Sequence, residues 1–149
     1  MSALFPPSTN DQYDGSIIAL IGLGIMVILT LIPALIHMFL PDGGANVIAG
    51  LGIDLASEQG QLVVSLFAWA GTTQLIFALV LLTILVRYRS LVPFAFALLV
   101  LSRSFHAWHM WGPKGGEHHP PEAYATLALV PLLLIGLLLS LKERSKTDG

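Results

Sequence analysis

The sequence predicts an all-α protein, a four-helix transmembrane bundle with both termini on the cytoplasmic side. Three observations carry that prediction. Of 149 residues, 55% are hydrophobic and only 11% are charged, well under the charged quarter usual in soluble domains. Four apolar runs, at about 16–40, 62–86, 91–111 and 123–141, are long enough to cross a hydrocarbon core. The basic residues gather at Arg87 and Arg89 between the second and third runs, and at Lys142, Arg144 and Lys146 after the fourth. Cytoplasmic segments carry such excesses.

Each element follows in order. Residues 1–15 form a polar lead-in without periodicity. Helix 1 lacks a basic flank and is too long for a signal-peptide core, so it reads as a retained span. Gly22 and Gly24 are its expected close-packing points and Pro33 its expected kink. Pro41-Asp42-Gly43-Gly44 ends it. The small and apolar residues 43–60 suit a short interfacial segment, with Ser57 or Glu58 near the start of helix 2. Arg87-Tyr88-Arg89-Ser90 is a tight turn expected to lay helix 3 antiparallel beside helix 2. A Gly/Pro-rich loop, 112–121, leads into helix 4, which carries Pro131 and Gly136. Residues 142–149 form a basic tail, and 16–141 a single membrane domain without internal repeat.

On this topology the polarity is one-sided. All five histidines, Arg103, and Asp42, Asp54, Glu58, Glu117 and Glu122 fall in the outer half, and the inner half holds no buried titratable group. Composition also excludes classes of chemistry. With no cysteine, the chain has no disulfide, thiol catalysis, iron–sulfur cluster or thiolate zinc site. Its seven Lys and Arg are scattered or juxtamembrane, which argues against a nucleic-acid partner. A small four-helix antiporter needs a carboxylate buried within a helix, and a vitamin-K-reductase-like enzyme needs cysteines. The lack of buried carboxylates also weakens an acid–base sterol isomerase.

Arg103 is the first candidate site residue, because a guanidinium deep in an apolar run is costly unless paired or wet. It can serve as an anion or carbonyl anchor at the floor of an outward cavity. Equally, it can be a structural arginine bonded to carbonyls at a helix break or to a carboxylate of 43–60. Arg103, His106 and Met110 share one helical face. His106 and His109, with His118 and His119 from the loop, are candidate ligands for a divalent metal. The alternative is a set of interfacial histidines beside Trp108 and Trp111 in an aromatic belt. His37 and His106 lie at similar depths, as a haem or chlorophyll would require, with Met38 or Met110 as other axial ligands. No cofactor is required by the sequence. Gln74 can line a pore, bind a quinone carbonyl or hold helices together. Arg103, His106, His37 and Gln74 therefore form the expected ligand-binding set.

A long first helix, Gly50-Leu51-Gly52-Ile53-Asp54 ahead of helix 2, an arginine late in helix 3 and a Gly/Pro-rich loop before a plain fourth helix also carry a resemblance. Over about 16–141 the chain resembles the DoxX-like group of small four-helix membrane proteins. The resemblance implies an antiparallel bundle in a bacterial inner membrane, sometimes associated with respiratory or redox enzymes. Two functions are then expected. The first is a non-catalytic accessory subunit of a larger redox or photosynthetic membrane complex, motivated by small size and the lack of a catalytic motif. The second is a small-molecule, metal or haem-binding protein with an outward-facing Arg/His cavity.

Overall fold

The computed structural model describes residues 4–142. Its elements are α1 (Ile17–Phe39), α2 (Glu58–Arg87), a 3₁₀ turn (Arg89–Leu91), α3 (Val92–Trp111) and α4 (Pro121–Leu141). All four long helices are long and apolar enough to cross a membrane. Among the described residues there is no strand. The basic tail lies outside them, apart from Lys142.

The helix starts follow from local chemistry. Ser16 caps α1, its Oγ accepting the N–H of Ile18 at 3.2 Å. Ser57 caps α2 by accepting from Gly60 at 3.0 Å, with Glu58 in the first turn where the helix dipole favours an acid. That cap starts α2 a turn earlier than hydropathy alone suggests. Pro121, preset to helical φ, starts α4 and brings Glu122 into its first turn.

The helices associate as two pairs, α1 with α2 and α3 with α4, joined mainly where α1 meets α4. The expected lateral packing of α3 on α2 is corrected: these two share little contact. The turn at 88–91 fixes only where α3 begins, whereas small residues decide which helices approach. A Cβ on Gly71 of α2 would stand 2.7 Å from the Cβ of His37 and 2.9 Å from the carbonyl oxygen of Ala34, so α1 and α2 close there on bare backbone. A Cβ on Gly136 of α4 would enter the Phe96 ring of α3. At Gly22 and Gly24 the nearest atoms would lie at ordinary contact, 3.7 and 3.6 Å. The tightest approaches are thus at Gly71 and Gly136. Pro33 sits within an unbroken α1.

The dense core occupies the half of the bundle that holds the start of α1 and the end of α4. Leu23, Leu81, Leu99 and Val92 are fully buried there, with Phe96 and Leu133 beside them. Residues 10–16 are ordered against this end. Asn10 and Ser90 exchange hydrogen bonds (Asn10 N–H to Ser90 Oγ, 3.0 Å; Ser90 Oγ to Asn10 O, 3.1 Å), and Ser16 N–H donates to Leu139 O. Tyr13 is half-buried, its hydroxyl on Ser16 O at 3.2 Å. Burial pushes its pKa up to about 12. The polar lead-in is therefore a strap across the terminal end, and it places a partly buried titratable group where none was expected.

Candidate functional site

The opposite, loop end is built differently. Asp42, just past α1, is buried, and its carboxylate accepts the N–H groups of Gly44 (2.8 Å), Asn46 (2.9 Å) and Val47 (2.9 Å). The hydrogen bonds from Val47 and Gly44 lead in holding its pKa below the ordinary carboxylate value of 3.8. Gly43 and Gly44 take φ of +61° and +84°, which lets the chain reverse directly over α1. Asn46 then clamps Ile53 from both sides, at 2.9 and 2.8 Å. Residues 42–53 thus form a self-bonded cap of turns. His118 Nε2–H donates to Ala49 O at 2.8 Å and ties the 112–120 loop to that cap.

Beneath the cap, the ends of α3 and α4 are fixed by Trp111, whose indole N–H donates to Ala123 O at 3.2 Å. Arg103 stands about 12 Å deeper along α3. Its Nη1 nevertheless meets Glu122 Oε1 at 3.2 Å, so the side chain extends toward the loop end. The Arg103 side chain is only 12% exposed and that of Glu122 is 38% exposed. The partner of Arg103 is therefore the first turn of α4, rather than a carbonyl or a carboxylate of 43–60. Pro120-Pro121 was the available signal, since a proline at the first helical position puts Glu122 in the first turn of α4.

A cavity of about 500 Å³ opens between α1 and the α3–α4 pair. Leu29, Pro33 and Ile36 of α1, Ile48 of the cap, and Ala128 and Leu129 of α4 supply apolar walls. Arg103, Glu122, His37 and Thr126 supply the polar groups. Only Nη1 of the guanidinium is engaged by Glu122, which leaves further N–H donors. His37 Nδ1–H donates to Gly43 O at 2.7 Å, which fixes the ring orientation and leaves Nε2 outside that bond. Phe67 holds the ring edge-on at 5.1 Å. Thr126 is fully buried, yet its Oγ1 has no hydrogen-bond partner. Such a hydroxyl costs about 1–3 kcal/mol and calls for an explanation. Pro33 offers no N–H to the carbonyl of Leu29 one turn earlier, and both residues line the cavity.

The structure thus brings together two of the four expected ligand residues, Arg103 and His37, and adds Glu122 and Thr126. Gln74 on α2 lies outside the lining, its Oε1 buried and unpartnered. His106 is half-buried on α3 and also outside the lining. The candidate metal histidines are dispersed. His109 is exposed, His118 bonds the cap, and His119 stacks on Trp111 with ring centroids 4.1 Å apart. Among the described residues no three His, Asp or Glu side chains converge as a metal-holding group.

No family model matches the chain, nor does any curated protein or solved structure.

Proposed function

We propose that this integral membrane protein binds a lipophilic small molecule whose uncharged polar head, a carbonyl or hydroxyl, sits on the free guanidinium donors of Arg103. The single observation that carries this reading is the cavity itself: apolar walls around a guanidinium with donors that Glu122 does not use. The head is uncharged because Glu122 already balances Arg103, so a carboxylate or phosphate would bring unmatched charge into low dielectric. The mainly apolar lining suits a hydrocarbon or prenyl-like body arriving from the bilayer.

An accessory subunit of a redox or photosynthetic complex is the competing reading. It would spend its polar groups on a neighbouring chain, whereas Arg103, Glu122 and His37 line a concavity. The DoxX-like affiliation, resting on 50–54 and Arg103, and a bacterial inner-membrane location belong to the same proposal.

The test is titration of the protein in nanodiscs with decylubiquinone, a carbonyl-headed probe, followed by quenching of tryptophan emission. Arg103→Gln removes a charged donor and should lower affinity about ten-fold or more. Ala128→Trp fills the cavity and should abolish binding with helicity unchanged. The Arg103→Met/Glu122→Leu double variant, which leaves no stranded charge, guards against simple unfolding. Equal affinity in wild type and all three variants would remove the assignment.

A further inference from the structure

A second concavity lies at the other end of the molecule, where α2 and α3 part. It measures about 470 Å³ and is lined by Ile76, Val80 and Thr83 of α2, by Tyr88 and Leu91 at the turn, and by Phe94 of α3. Its only α2 hydroxyl, that of Thr83, is satisfied by the Leu79 carbonyl at 2.8 Å, so the surface offered is hydrocarbon. Ile76 and Val80 are 60% and 45% exposed. From Ile76 to Tyr88 the groove runs roughly 18 Å along α2, close to one leaflet's share of the hydrocarbon core.

The mouth of this groove carries charge. Arg87 places its guanidinium carbon 5.9 Å from the Tyr88 ring centroid, holding a cation at the rim. Arg89 donates Nε–H to Leu85 O at 3.0 Å. That bond anchors the side chain and leaves both terminal nitrogens available. Among the described residues neither arginine has a carboxylate partner. Two exposed guanidinium groups on either side of Tyr88 in the chain, with Tyr88 itself lining the end of the apolar slot, suit a phosphate-and-acyl arrangement, because a guanidinium binds phosphate oxygens in pairs. The rule that basic residues mark the cytoplasmic side puts this mouth at the leaflet richest in anionic lipid.

We infer that the α2–α3 groove is a binding site for one anionic phospholipid of the cytoplasmic leaflet, its acyl chain lying along Ile76–Phe94 and its phosphate held by Arg87 and Arg89. The lipid fills the gap left because α3 packs on α4 instead of α2. Tyr88 sits between chain and head, at the depth where an amphipathic ring is favoured. This site is separate from the Arg103 cavity and does not rest on it.

The test is native mass spectrometry of the protein loaded with phosphatidylglycerol or with phosphatidylcholine of identical chains. One retained phosphatidylglycerol per protein, in preference to phosphatidylcholine, is expected. Arg87→Gln and Arg89→Gln should each lower phosphatidylglycerol affinity roughly five-fold, and together erase the preference. Val80→Trp, which fills the slot, should lower retention of both lipids while leaving decylubiquinone binding intact. Equal occupancy by the two lipids in the wild type, or an unchanged preference in the double arginine variant, overturns the proposal. So does a benzophenone at position 80 that crosslinks to a second protein helix in native membranes rather than to lipid.

Discussion

The terminal half of the bundle and the loop half solve the same problem with opposite materials. In the terminal half, Leu23, Leu81, Leu99 and Phe96 belong to one buried cluster, Phe96 closes on Gly136, and the strap of residues 10–16 closes the end through Ser90. In the loop half, α1 and the α3–α4 pair stand apart around a cavity of about 500 Å³, roofed by a cap that one buried aspartate organises. Association in a bilayer depends on close packing rather than on the hydrophobic effect. The packed half can therefore hold the bundle together while the other half keeps a hollow and a buried, unpartnered hydroxyl. Polarity that looks expensive in the loop half is tolerated because stability is concentrated elsewhere.

The comparison breaks most readily at its small residues. Gly136→Leu drives side-chain atoms into the Phe96 ring and should cost about 3 kcal/mol in detergent unfolding. Ala128→Leu, facing the cavity, should stay within about 0.5 kcal/mol. Similar losses in the two variants would mean that the halves are not packed differently. Next in size is the ion pair. Glu122→Gln strands a largely buried guanidinium and should destabilise by about 2 kcal/mol. The cost is below that of a fully buried pair because Glu122 is itself 38% exposed. Arg103→Met with Glu122→Leu should return most of the loss, and a double variant no better than the single would show the pair to be required for folding.

Thr126→Val tests the buried side of the contrast. Removing the unpartnered hydroxyl should stabilise the ligand-free protein by about 1 kcal/mol. Loss of stability on that substitution would show that the hydroxyl is bonded after all. The smallest effects are set by pH, and the two ends should respond at opposite extremes. Asp42 titrates below its ordinary 3.8, so the cap's stabilisation is full above that value and is lost as pH falls through the lower folded value. Tyr13, raised to about 12, contributes stabilisation that is full below 10.0 and is lost as pH rises toward 12. Amide exchange should accelerate in 42–53 only in acid and in 10–16 only in alkali; loosening of both segments at one extreme would deny them separate anchors.

Much of this architecture was legible in the residues. Four spans, all-helical structure and the polarity of the loop end follow from hydropathy and from where Arg103 and the histidines fall. Helix partners were not legible, because a turn such as 88–91 fixes adjacency in the chain, whereas Gly71 and Gly136 fix it in space. The site was half legible. Arg103 announces itself as a charge in an apolar run, but its partner Glu122 sits at a span's edge, where an acid looks ordinary. Thr126 gave no signal, since a threonine in a membrane helix is normally satisfied by its own backbone, as Thr30 is by Met26 O at 2.7 Å. The strap was hidden because its hydrogen bonds join residues 80 positions apart.

The most direct test of the central claim is to extract the protein gently from its own membranes, wild type beside Ala128→Trp, and identify by mass spectrometry the small molecules that accompany each. A lipophilic compound with an uncharged carbonyl or hydroxyl head is expected, stoichiometric with the wild type and missing from Ala128→Trp. The same small molecules in both preparations, or none in either, would contradict it.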